Sequence, residues 1–129
     1  MIDATYDQTE APPAPMLSAR IRNPRGPAEQ TVRALVDTGS SVCCISTQLA
    51  RELDLPVAGT NVVELSGGLR ISCTTHFADV DIGLGTIRLI VLALTDERIL
   101  GRDLLSRYRL VLDGPRSSLH ISGVHEESP

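Results

Sequence analysis

The chain has no Trp, one Phe and two Tyr among 129 residues, so no aromatic cluster can fill its interior. Branched aliphatic side chains must do so, and these favour strands. Lys is absent as well: all twelve cations are Arg, a bias that fits GC-rich coding and carries no functional signal. Carboxylates outnumber them, giving a net charge of −4 and a pI near 5.3. The basic footprint of a nucleic-acid binder is therefore missing. No apolar run reaches the ~18 residues a spanning helix needs. The opening M-I-D-A-T-Y-D-Q-T-E lacks the basic and apolar regions of a signal peptide. These absences lead to the expectation of a cytoplasmic chain with no membrane or nucleic-acid partner; an anchor ahead of the first residue would alter the location.

Cysteine is scarce and odd in number: Cys43, Cys44 and Cys73. They read as reduced, buried thiols acting as small hydrophobes. Cys73-Thr74-Thr75-His76 has a C-x2-H spacing that Cys43 and Cys44 would have to complete as a zinc site. Neighbouring residues of a strand point to opposite faces, so both could hardly ligate one ion. No metal and no cofactor is expected.

The length suits one compact domain. Residues 1–14 are polar and run into A-P-P-A-P (residues 11–15), which reads as a flexible N-terminal arm. Residues 15–122 form the domain, and residues 123–129 read as a flexible C-terminal tail. M-L-S-A-R-I-R alternates Leu17, Ala19 and Ile21 against Ser18, Arg20 and Arg22, the period of a half-buried strand. The turn N-P-R-G-P-A leads to a second strand over 31–36. Ser46 is a candidate N-cap for a short helix over 47–53, stopped before Pro56. Strands are predicted at 61–65 and 69–72, the latter extendable through His76, on either side of Ser66-Gly67-Gly68. Others follow at 78–82 and 86–94. A short helix at 103–107 precedes strands at 109–112 and 118–121. Many short strands, glycine turns and two short helices describe a mostly-β, closed barrel-like domain.

One stretch asks for more than a fold. In A-L-V-D-T-G-S-S-V-C-C-I-S (residues 34–46), two apolar runs clasp Asp37-Thr38-Gly39-Ser40. D-T-G alone is a common turn sequence. The ordered set of an apolar pair before the Asp, Ser after the Gly, a glycine-tipped hairpin and then I-L-G-R-D-L-L is far more specific. Over about residues 17–121 it resembles a subunit of the retropepsin-type aspartic proteases. The resemblance implies the retropepsin fold with a flap hairpin, and an aspartic endopeptidase acting on extended peptides.

Metal-free amide hydrolysis needs an activated water and a proton for the leaving nitrogen. Two carboxyls ~3 Å apart, the known device of this family, supply both because they share one proton. The resemblance assigns Asp37 as the catalytic carboxylate and Thr38 as the hydroxyl that locks the two subunits' loops. Gly39 would turn an N–H toward the carboxylate, and Ser40 would hold its outer oxygen. Ser66, Gly67 and Gly68 would form the flap tip over substrate, and Ile99, Leu100, Gly101 and Arg102 would support the loop from behind. None of the other eight Asp residues is followed by Thr/Ser-Gly. The chain holds half a site, and a homodimer with its two-fold axis between two Asp37 side chains would complete it.

Some features depart from the viral pattern. The Asp often found four positions after the catalytic one is Ser41 here, leaving the partner of Arg102 open. The Pro-rich arm and H-E-E-S-P tail suit an interleaved terminal sheet poorly. A serine nucleophile at Ser40 or Ser41 lacks a G-x-S-x-G elbow. The competing reading is a catalytically lapsed retropepsin-fold module that binds peptides or self-associates.

Overall fold

The structure, a computed structural model, describes residues 1–123. Of the expected C-terminal tail, residues 124–129 lie outside the described residues. The elements in chain order are β1 (Ile2–Thr5), β2 (Met16–Arg22), β3 (Glu29–Val36), β4 (Cys44–Ile45), α1 (Thr47–Glu52) and β5 (Val57–Glu64). After them come β6 (Arg70–Asp81), β7 (Thr86–Ala93), β8 (Ile99–Leu100), α2 (Arg102–Leu105), β9 (Tyr108–Asp113) and β10 (Ser118–Gly123). Seven strands form one sheet in the order β2-β3-β8-β4-β7-β6-β5, and a further pairing of β2 with β6 closes it into a barrel. The other three form a small sheet, β1-β10-β9. Among the described residues no helix is long and apolar enough to cross a membrane.

The inward faces follow the alternation written in the strands. Leu17, Ala19 and Ile21 of β2, Val32, Ala34 and Val36 of β3, and Ala78 and Val80 of β6 are all buried in one aliphatic core. Ser46 caps α1, accepting the Leu49 N–H at 3.1 Å, as an N-cap serine should.

Three elements differ from the expectations. The two strands predicted at 69–72 and 78–82 are one, β6, because no Gly or Pro interrupts residues 69–82. β5 begins directly after Pro56, and the register shift between Val57 and Gly59 leaves Ala58 as the extra residue of a bulge. The segment read as a flexible arm carries β1, paired with β10 from Ile2↔Ile121 to Thr5↔Ser118. Ile2 and Ala4 alternate inward and pack on the core, which ties the N-terminus to the domain.

Charge holds the seam that closes the barrel. Asp79 lies opposite Arg22 of β2 and Arg88 of β7. Its carboxylate meets Arg88 Nε at 3.0 Å and Arg22 at 3.5 Å while only 5% exposed. One step along, Arg20 reaches Asp81 at 3.0 Å. The Arg88 hydrogen bond, helped by that of Arg22, holds the Asp79 carboxyl below its ordinary value against the upward pull of burial.

A carboxyl depressed in the folded state stabilises fully above its unfolded pKa, about 3.9. That contribution is lost as pH falls through the folded-state value. Asp79→Asn should therefore be less stable than wild type at pH 7 and show a flatter loss of stability between pH 5 and pH 2. Urea unfolding across that range measures both.

Candidate active site

β3 delivers Asp37 where two parallel pairings meet. β3 runs alongside β8, pairing Leu35↔Ile99 and Val36↔Leu100, and β4 runs alongside β7. The Asp37 N–H donates to Leu100 O at 3.0 Å, and the Leu35 N–H to Arg98 O at 2.9 Å. Strand bonding therefore continues up to the acidic residue and stops there. Asp37 is half-buried, with Thr38 and Gly39 exposed beyond it.

The loop turns on itself. The Ser40 N–H donates to Asp37 O at 3.2 Å, and the Gly39 N–H to Asp37 Oδ1 at 2.9 Å. A Cβ at position 39 would lie 3.2 Å from that same oxygen. Glycine therefore lets the amide approach without pressing on the carboxylate. The hydroxyl of Ser40 donates to Val42 O at 2.7 Å, so within one chain it braces the backbone instead of the outer oxygen of Asp37.

Behind the loop, two segments cross at contact distance. A Cβ at Gly101 would lie 2.4 Å from the Val42 carbonyl oxygen and 2.9 Å from its nitrogen. No side chain fits, and the chain passes only because position 101 has none. Leu100 is buried in the core and Ile99 packs on a second apolar cluster.

Arg102 grips the loop from two directions. Its N–H donates to Ser40 O at 2.9 Å, and its guanidinium donates to Thr38 O at 2.8 Å. The partner left open by Ser41 is thus a main-chain carbonyl of the tetrad itself.

Two contributors carried no sequence signal. The Asp103 carboxylate accepts the Cys43 N–H and its Sγ–H, each at 3.1 Å, and the Leu104 N–H at 2.9 Å. The same Sγ accepts the Gly101 N–H at 3.4 Å. Cys43 is therefore a buried joint between the two crossing segments and more than a filler. Burial pushes its thiol far up, with Asp103 adding to the shift, and pushes Cys44 up to about 11. Neither is a thiolate at neutral pH. The three cysteines are free and buried, and no metal-holding group of His, Cys, Asp or Glu occurs among the described residues.

Ser66, Gly67 and Gly68 cap the β5–β6 hairpin, where Leu65 N–H donates to Leu69 O at 2.7 Å and Gly68 N–H to Leu65 O at 3.1 Å. Gly67 and Gly68 have φ of +87° and +81°, which favour glycine. Lower on the hairpin, Val63 and Ile71 face each other. They pack against the cluster of Cys44, Cys73 and Leu92, which Val42 and Ile99 also join. Hairpin, tetrad flank and I-L-G segment thus share one apolar floor.

A family model described as "gag-polyprotein putative aspartyl protease" matches residues 28–107, and the chain belongs to that family. No curated protein matches it. Among solved structures it is similar to a retropepsin-like aspartic protease from Rickettsia conorii, with 21% identity over 92% of this chain and 86% of that one and a TM-score of 0.62. The EIAV protease, solved with the inhibitor HBY-793, gives 20% identity over 80% and 92%, with a TM-score of 0.60. The simian foamy virus (mac) protease gives 16% over 71% and 92%, with a TM-score of 0.54. The fold is that of the retropepsins.

Gly101→Ala should push the two segments apart. The expected cost is about 1–3 kcal/mol or more, the range for overpacking a rigid site. The shift of the urea midpoint at pH 7 reports it.

Proposed function

We propose that the chain is one half of an aspartic endopeptidase, active as a homodimer that brings two Asp37 carboxyls together. The observation that carries this reading is the half-buried Asp37 carboxylate, oriented by the Gly39 N–H at the mouth of a retropepsin fold. The family assignment supports it, and so does the lack of any second Asp-Thr/Ser-Gly in the sequence.

In the dimer the paired carboxyls share one proton, since two like charges in contact cannot both ionise. The ionised member takes a proton from water as its oxygen bonds to the scissile carbonyl carbon. The protonated member gives its proton to the carbonyl oxygen, so the adduct is a neutral diol. Collapse of the tetrahedral diol breaks the C–N bond, and the nitrogen leaves with a proton from the pair. Thr38 would bond across the axis, and Arg102 would keep the loop from sagging. The Ser66-Gly67-Gly68 tip would close on an extended peptide, its backbone N–H groups taking the substrate's carbonyls while water is excluded.

Wild type should cleave an unfolded protein somewhere between pH 3 and pH 7 and be inhibited by pepstatin. Asp37→Asn should cut the rate by about 10²–10⁴-fold, the usual worth of acid–base catalysis, while the urea midpoint stays close to wild type. An Asn variant that still cleaves would overturn the dyad. A stable wild-type dimer with no activity at any pH would favour a lapsed, peptide-binding module.

A further inference from the structure

We propose that the second copy docks along the outer edge of β9, antiparallel to its own β9, in a register centred on Val111. This rests on the half-site reading above, and it names the surface that completes the site.

β9 pairs with β10 on one side, and among the described residues its other edge has no strand neighbour. An open edge offers a row of backbone donors and acceptors and is usually blunted by Pro, Lys or a bulge. This one has none of them. Val111 is 49% exposed and Leu112 42%. Leu112 sits opposite the buried Leu119, so the core-facing side of the small sheet continues past its last strand with no strand of the described residues beyond it.

A two-fold axis can pair a strand with itself only in the antiparallel sense. Arg109-Leu110-Val111-Leu112-Asp113 is complementary to itself under that operation. Centred on Val111, the pairing sets Val111 against the partner's Val111, Leu110 against the partner's Leu112, and Arg109 against the partner's Asp113. The last two pairings occur twice, once at each end. A slip of one residue sets Arg against an aliphatic and turns apolar side chains to the wrong face. Charge and apolarity therefore select the same register.

The odd-numbered side chains would form one face, with Asp113 bridging its own Arg116 at 3.8 Å and the partner's Arg109. The even-numbered leucines would join the two cores. No exchange of arms is needed, because β1 is already paired within its own chain. β9 follows α2 after two residues, and the first residue of α2 is Arg102, which holds the Thr38 carbonyl. The proposed contact is thus a short, rigid step from the catalytic loop.

Val111→Cys tests the register directly. Opposed residues of an antiparallel pair have Cα atoms about 4.5–5.5 Å apart, within the span of a disulfide, and the three native thiols are buried. Mild oxidation with diamide should convert most of this variant to a covalent dimer, whereas exposed Arg25→Cys should give little.

Sedimentation equilibrium tests the charges. Arg109→Asp or Asp113→Arg should each weaken dimerisation at least about tenfold, and the double swap should recover wild-type affinity within about threefold. Unchanged dimers in both single variants, or a Val111→Cys protein no better cross-linked than the control, would overturn the proposal. So would a double swap that folds normally by its urea midpoint yet stays monomeric. None of these outcomes bears on the dyad, which stands or falls on the activity of Asp37→Asn.

Discussion

The structure turns on a place where two stretches of backbone occupy space that one Cβ would fill. Gly101 lies against Val42, and that closeness makes the Asp37 loop and the start of α2 a single unit. Leu100 O receives the Asp37 N–H on one side of the crossing, and Ser40 O receives the Arg102 N–H on the other. A side chain at the crossing would strain every one of these bonds together, because none can lengthen without the next.

Around that crossing the polar groups are satisfied by main chain far more than by each other. Arg102 binds a carbonyl, Ser40 binds a carbonyl, and Asp103 receives two backbone amides and a thiol. Such an arrangement fixes the loop through its main chain, with the Arg102 guanidinium held at the Thr38 carbonyl beside Asp37. The charges that do pair, Asp79 with Arg22 and Arg88, lie at the barrel seam. Their cations do not titrate, so only the carboxyl side of the seam responds to acid. The same low pH that would suit a proton-sharing pair therefore loosens the closure of the barrel.

Local patterns announced much of this architecture. The alternation of β2, the Ser46 cap and the glycine-tipped hairpin lie within short windows, and the structure places each where its period or turn chemistry requires. The tetrad and I-L-G segment also come together, and Gly101 is the position where a crossing needs glycine. What could not be read depends on distant partners. Asp103 and Cys43 meet across sixty positions, and nothing about either residue type marks the contact. β6 looked like two strands because its buried and exposed positions change partners midway, from β5 to β7 and β2. β1 was hidden by the prolines that follow it, although Ile2 and Ala4 already alternate inward.

The bonding of β1 to its own β10 has a further consequence. With β1 and β10 paired in one polypeptide, Ile2 and Ala4 pack on the core without a second copy. The assembly proposed above would then be an equilibrium separate from folding. If two copies are needed for activity, as proposed above, dilution would silence the chemistry without unfolding the chain.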